Sequence, residues 1–512
     1  MKKMKKNILY KVLPFILLVL SFSSCNEDNF LDIAAKGSLT NDTYLTTSDE
    51  IETAIVAIYN NLQEAYSSGS WTSVYFVKNL PSDDCNAGSS IGDQTGYQEL
   101  DDFNNGADNV KTEAVWTNLY KVIYGCNTII NDVTLTDDTS LDLIAEAKAI
   151  RGFSFFNLVQ MFGGVPLRTV NASSESEYPL ARSTKAEVYA QIEKDFTDAI
   201  ERLPLKSALS AGNKYRFSKG TAQGFLGKVY LYEEKYSEAA AEFNNVITSG
   251  EYSLIPDYSD IWTSSEEFGS GSLFEISYTS SETYDWGTFP WNGGNESNIE
   301  IVLQGPRSDL YDISGGTFPY INGWGFNVPT SVIGEAYINA GDTERGNANV
   351  MSEANFIAAG GAILDESAHD YDGYIRLKYS TYNSETVTDG IKELNYGTNW
   401  RLLRYADVLL MAAEANHFNS DDATATSLIN QVRTRAGLGD FSGDVFDAIV
   451  TERQLELSFE GVRFWDLVRW GLASEKLSSR GFTSNKNELF PIPTNEIIGN
   501  SAITTADQNP GY

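Results

Sequence analysis

Residues 224–243 set a geometry that few folds accommodate. Leu226, Gly227, Tyr230, Tyr236, Ala239 and Phe243 fall at the spacings of two helices that cross at close range. Gly227 removes a side chain where the helices meet, Ala239 fills the crossing, and Tyr230 and Phe243 cover its flanks. A pair of this kind buries its apolar face only by stacking on others, so the chain has to supply several.

The spacing is that of a tetratricopeptide unit, and a weaker copy runs through Ala413, Ala425, Ile429 and Val432. Helical periodicity extends over 48–63, 113–133, 141–162, 185–202, 219–250, 400–436 and 445–471. Between 252 and about 400 the chain turns rich in Gly, Asn, Ser, Thr and aromatics, with strand-like pieces at 273–278 and 374–379; 67–109 has the same flavour. The expected fold is therefore mainly α: tetratricopeptide-like helical pairs form a scaffold, mainly 48–66, 110–250 and 400–471. A loop-rich, short-strand binding region, mainly 67–109 and 252–399, is inserted into it. Such arrays bind peptides on a concave face or simply hold loops in place, and the scaffold role is the reading carried forward.

The N-terminus points to export. A basic stretch, 1–6, precedes an apolar run, 8–22, that contains Pro14 and is too short to span a bilayer comfortably. Ser23, Ser24 and then Cys25 complete the pattern of a bacterial lipoprotein signal over 1–24, with Cys25 diacylated and 25–512 remaining as one domain; Phe22 stands where Leu is usual, and ordinary secretion is the alternative. Loss of 1–24 moves the formal charge from −33 to −38. That surface disfavours nucleic acid and anionic lipid or glycan, and favours a neutral ligand. Beyond the anchor only Cys85 and Cys126 remain, enough for one disulfide and not for a disulfide scaffold. His369 and His417 lie far apart without metal-ligand spacing, so no metal site and no cofactor are expected.

The C-terminal third carries specific motifs. Residues 404–415 read RYADVLLMAAEA, followed by INQVRTRAG at 429–437, ERQLEL at 452–457, EGVRFWDLVRWG at 460–471, FPIP at 490–493 and QNPGY at 508–512. Upstream, FLDI at 30–33, AIRG at 149–152 and GGVP at 163–166 fall in the same order. These segments resemble the SusD/RagB family of outer-membrane nutrient-binding lipoproteins along essentially the whole mature chain. In lipoproteins of this kind Glu27 and Asp28 resemble an outward-export signal, with an acidic linker as the plain alternative. The resemblance implies a cell-surface protein without catalytic activity. It would capture oligo- or polysaccharide and deliver it to a SusC-like TonB-dependent outer-membrane transporter, over which it sits as a lid.

The matching residues themselves read as fold. Ala412, Ala413 and Ala415 permit close packing, Leu409 and Leu410 fill the core, and Arg463 and Asp466 can pair three apart on a helix. Trp116, Trp400, Trp465 and Trp470 are core by default. Glu456 and Glu460 could be a glycosidase acid and base, but amid arginines at four-residue spacing they read as ion pairs.

Neutral sugars present apolar C–H faces and polar edges, so their sites lay Trp or Tyr rings against the faces and bond hydroxyls with Asn, Asp, Gln or Arg. Two loop segments offer this. One holds Trp71 and Tyr75, with Asp83, Asp84 and Asn86 after them; the other holds Tyr284, Asp285, Trp286, Trp291 and Asn292, with Tyr320, Asn322 and Trp324 beyond. Trp286 and Trp291 sit in a Gly/Asn loop without a period that would make them core, so they are loop anchors or ligand platforms. An aromatic arc implied by the resemblance adds Trp71 to them. Trp324, in Gly-Trp-Gly, also reads as a structural turn, and Asp83 could equally cap a helix. The competing functions are a RagB-type lid for peptide or another nutrient and a surface glycoside hydrolase.

Overall fold

The computed structural model describes residues 44–365 and 368–512, of which 47–512 form one compact unit. Cys25 and the rest of the export segment lie outside the described residues.

Helix starts follow the side chains that cap them. Thr47 and Glu50 form a capping box before α1 (Ser48–Tyr66), and Asn109 accepts from the amides of Lys111 and Thr112 at the start of α2 (Val110–Asp132). Asp137 caps α3 (Asp138–Phe162), and a second capping box, Thr184 with Glu187, opens α4 (Lys185–Ile200). Ser218 caps α5 (Lys219–Tyr232), which turns directly into α6 (Tyr236–Thr248). Each helix packs on the next in sequence, from α1 through to α6. At the α5–α6 crossing a Cβ on Gly227 would come within 2.6 Å of the Phe243 ring, and Ala239 and Phe243 are fully buried there. The tetratricopeptide spacing thus marks a real close crossing.

The chain then leaves the array and returns at α7 (Tyr405–Phe418), which packs on α6 as though nothing intervened. α8 (Asp422–Arg435), α9 (Val445–Leu457) and α10 (Arg463–Arg469) complete this part. Ala412, Ala413, Ala415, Leu409 and Leu410 are buried in α7 as expected.

Among the described residues, four two-stranded antiparallel ladders tie the excursion down. β1 (Cys85–Gly88) pairs with β4 (Phe326–Pro329), and β2 (Ser272–Ile276) with β8 (Trp400–Arg404). β3 (Tyr311–Asp312) pairs with β6 (Ala362–Ile363), and β5 (Val350–Ser352) with β7 (Tyr374–Arg376). Residues 400–404, expected to begin a helix, are therefore a strand. Trp400 is wholly buried, its indole N–H donating to the Tyr66 carbonyl at 3.1 Å, and the ladder to β2 outweighs the local helical pattern.

Two buried charge clusters fasten the end of the array. Glu456 receives Arg404 at 2.8 Å, Arg435 at 2.6 Å and Arg345 at 3.1 Å, while Glu460 receives Arg404 and Lys378, each at 2.7 Å. Glu452 meets Arg345 at 2.6 Å and Arg433 at 3.1 Å. In the second cluster Arg453 joins Asp407 and Asp466, each at 2.7 Å, and Arg469 joins Asp466 and Glu414. Arg463 and Asp466, three apart, do not pair: each is taken by a partner from elsewhere in the chain. Trp116 and Trp465 are buried; Trp470 is only half-buried, at the end of α10, its N–H on Glu414 at 2.9 Å.

Candidate functional site

Four tryptophans from three separate segments meet at the surface. Trp71 follows α1 in the loop before a short helix, Val74–Asn79; Trp286 and Trp291 share one Gly-rich loop; Trp324 lies just before β4. Each ring contacts two others. Trp71 lies 4.7 Å from Trp324 and 6.0 Å from Trp291, tilted by 45° and 51°. Trp286 is nearly parallel to both Trp291 (5.9 Å, 14°) and Trp324 (6.4 Å, 5°). Trp286 remains 46 % exposed and the other three are half-buried, so Trp286 is the ring of the quartet most open to solvent, supported by Trp291 and Trp324.

Local chemistry builds this arrangement. Asp285 accepts from the amides of Gly287 and Thr288, closing a turn that raises Trp286. Phe289 is buried with Ile299 and Leu394, and Trp71, Tyr284 and Trp291 pack against that cluster. Glu64 on α1 accepts from the Gly294 amide at 3.0 Å and is itself paired with Lys121 at 2.8 Å, which fastens the loop to the helical array. A Cβ on Gly69 would approach the Trp291 carbonyl to 2.4 Å, so the two aromatic loops lie backbone against backbone. Around Trp324, Gly323 passes against the Val302 carbonyl and Gly325 takes φ +71° beside Arg307.

The remaining expected residues divide sharply. Tyr284 is half-buried, edge-on to Phe289, its hydroxyl on the Glu296 amide; Asn292 is exposed on the loop beside Trp291. Tyr75 is no surface group. It is 4 % exposed and stacked on Trp400 at 4.0 Å, its hydroxyl donating to the Phe459 carbonyl at 2.7 Å and accepting from Arg376. Asp83 is likewise buried, in an ion pair with Arg463, and caps no helix. Asp84 beside it is pushed up to about 7, first by burial and then by Asp83, and accepts from Gln454. Asn86 is committed to Arg480 and to the Asp370 carbonyl, and Tyr320 is buried. Tyr75, Asp83, Asp84 and Tyr320 are therefore too deep to face a ligand, while Asn86 is partly exposed with its side chain engaged by Arg480 and Asp370.

Sequence reasoning missed the polar border of the quartet. Lys111 donates to the Trp71 carbonyl at 2.7 Å and to Gln94 Oε1 at 2.6 Å. Arg307, beside Gly325, holds Ser89 Oγ at 2.7 Å and Asp309 at 2.7 Å, with Asp93 at 3.6 Å. Lys111 stands in the first turn of α2, where a lysine ordinarily faces water, and Arg307 in an irregular loop without a period, so nothing local distinguishes either. Cys85 and Cys126 are separate buried thiols, and Glu456 and Glu460 are enclosed by arginine and lysine rather than facing a cleft. Among the described residues no group of three or more His, Cys, Asp or Glu side chains is placed to hold a metal ion.

The chain is similar to known proteins over nearly its whole length. Two family models match: the SusD family over residues 322–481, and "starch-binding associating with outer membrane" over 29–231. SusD-like protein P2 of Formosa agariphila is 27 % identical, over 98 % of this chain and 99 % of the relative. Among solved structures, a laminarin binding SusD-like protein superposes with a TM-score of 0.80 at 34 % identity, covering 91 % of this chain and 99 % of that one. Surface glycan-binding protein A from Bacteroides thetaiotaomicron, in complex with laminarihexaose, gives 0.77 at 25 % identity, covering 91 % and 100 %.

Proposed function

The chain belongs to the SusD family, and from that premise we propose that its tryptophan quartet captures a neutral glycan, of which laminarin is the first candidate. The observation that carries this reading is the convergence of Trp71, Trp286, Trp291 and Trp324 with Trp286 left 46 % exposed on a Gly/Asn loop. An indole held open in this way offers a flat apolar face to a pyranose ring. Asn292 on the same loop, and Arg307 against the glycines that flank Trp324, offer donors and acceptors suited to hydroxyls.

The magnitudes suit a capture protein. One stacked ring removes roughly 50–100 Å² of apolar surface, or about 1–2.5 kcal/mol. Two or three stacks, less the cost of ordering a flexible chain, leave a dissociation constant between roughly millimolar and micromolar. Binding of that strength permits hand-over, and the recipient we propose is a SusC-like TonB-dependent transporter. Association with the outer membrane accompanies the family; the anchor on Cys25, facing the cell exterior, belongs to the proposal.

No catalysis is assigned. The carboxylates Glu456 and Glu460 are consumed by buried ion pairs and have no open cleft between them. The test is affinity gel electrophoresis of the mature, lipid-free protein against a panel of neutral polysaccharides that includes laminarin. Retardation by laminarin, lost in Trp286→Ala, supports the reading. Retardation by no glycan would move the site to a peptide or other nutrient, and release of reducing ends would make the protein an enzyme.

A further inference from the structure

Trp71 has φ +56°, a conformation that a bulky L-residue keeps only where its surroundings hold it. The surroundings are specific. Its carbonyl accepts from two side chains, Lys111 Nζ at 2.7 Å and the Tyr97 hydroxyl at 3.0 Å, and its amide closes a turn on the Ser68 carbonyl at 2.9 Å. Lys111 is 4 % exposed, unusual for a lysine, and its ammonium also bonds Gln94 Oε1 and lies 4.5 Å from the centre of the Tyr97 ring. Gly96 makes room for its stem: a Cβ there would come within 2.9 Å of Lys111 Cγ. An ammonium buried near the carboxyl of Glu300 that also gives a hydrogen bond to the backbone carbonyl of a strained aromatic is a costly device for a surface loop.

We propose that Lys111 and Tyr97 are positioning residues for the glycan site, fixing the strained backbone at Trp71 so that its indole stays against Trp291 and Trp324 before any ligand arrives. The glycan then meets a surface that is already ordered, and less of its contact energy goes into ordering loop 68–72. The inference rests on the glycan reading for its consequence, though not for its geometry.

The experiment therefore carries two readouts. Laminarin affinity is measured for wild type, Lys111→Met, Lys111→Arg and Tyr97→Phe, and for Lys111→Met combined with Trp71→Ala. In parallel, the protein is labelled with 5-fluorotryptophan and the Trp71 fluorine resonance is followed without ligand. Loss of a charged hydrogen bond predicts about tenfold weaker binding in Lys111→Met, partly restored in Lys111→Arg, and about threefold weaker binding in Tyr97→Phe. In the Trp71→Ala background Lys111→Met should add nothing, because the residue acts only through that ring. The Trp71 resonance should shift or broaden in Lys111→Met. Unchanged affinity together with an unchanged resonance overturns the inference. A wild type that ignores laminarin while the Trp71 resonance still responds to Lys111→Met overturns the glycan reading and leaves the positioning role standing. Tyr97→Phe, which keeps the ring and its packing, decides the matter should Lys111→Met fail to fold.

Discussion

Asp83 and Arg463 form a two-pronged ion pair in the interior, Nε to Oδ1 and Nη2 to Oδ2 both at 2.8 Å, between residues 380 positions apart. The pair closes the loop after Val74–Asn79 onto α10, and Arg463 is only 7 % exposed. Removing the carboxylate charge would leave a buried guanidinium without its hydrogen-bonded partner, with only Asp84 and Asp466 nearby to offset it. Asp83→Asn is therefore expected to cost about 3–5 kcal/mol of stability, read by urea denaturation. Glycan affinity of the folded fraction should stay at the wild-type value. A matching loss of affinity without loss of stability would return Asp83 to the binding site.

Trp286 and Trp291 separate binding from packing. Trp286 is 46 % exposed, so Trp286→Ala should weaken glycan binding by about 1–2.5 kcal/mol and leave the melting temperature nearly unchanged. Trp291 is half-buried, 4.5 Å from Phe289, and packs on the Phe289–Ile299–Leu394 cluster. Its truncation should lower both affinity and stability. Titration calorimetry with laminarin beside thermal melts distinguishes the two, and equal melting temperatures for both variants would contradict the packing assigned to Trp291.

What could be read from sequence was local, and what could not was long-range. Gly227, Ala239 and Phe243 announce a helix crossing because their spacing is the crossing. Trp286 stands out because a tryptophan beside Gly and Asn without periodicity has no core to enter. Asp83 carried no such signal: its partner is Arg463, far along the chain, and a carboxylate in an Asp-rich loop looks the same whether buried or free. The expected Arg463–Asp466 pair does not form because Arg463 is drawn to the distant Asp83, while Asp466 pairs with Arg453 and with Arg469 on the other side of it along α10. Tyr75 was misjudged because the ring that covers it, Trp400, belongs to a strand that the helical pattern around 400–436 concealed.

The helix crossing gives a stability prediction independent of any ligand. Gly227→Val places a branched side chain where even a Cβ would lie 2.6 Å from Phe243, and Phe243 is fully buried with no room to retreat. Overpacking of this kind costs about 1–3 kcal/mol. Gly212, on a surface turn with open space around its Cβ position, serves as the control and should tolerate Ala with little change. Comparable urea midpoints for the two variants would mean that α5 and α6 do not cross as closely as described.

Glu300 supplies a pH dependence whose sign can be worked out. Its carboxyl is fully buried, and burial pushes it up to about 8, with Lys111 and then the Ser68 backbone amide acting in the opposite sense. The native state therefore keeps a proton that the unfolded chain gives up near pH 4. Between about pH 4 and 8 the unfolded state binds fewer protons, so this group makes the protein less stable as pH rises, with the loss complete above about 8. Glu300→Gln mimics the protonated form and escapes that loss. The variant should lie within about 1 kcal/mol of wild type in urea denaturation at pH 5 and exceed it at pH 7 by on the order of a few kcal/mol. Lys111, which burial lowers to about 8 and Glu300 raises, is the one neighbour whose titration changes with the substitution, so the comparison stops at pH 7, below its range. Parallel profiles between pH 5 and 7 would show that Glu300 is ionised in the native protein.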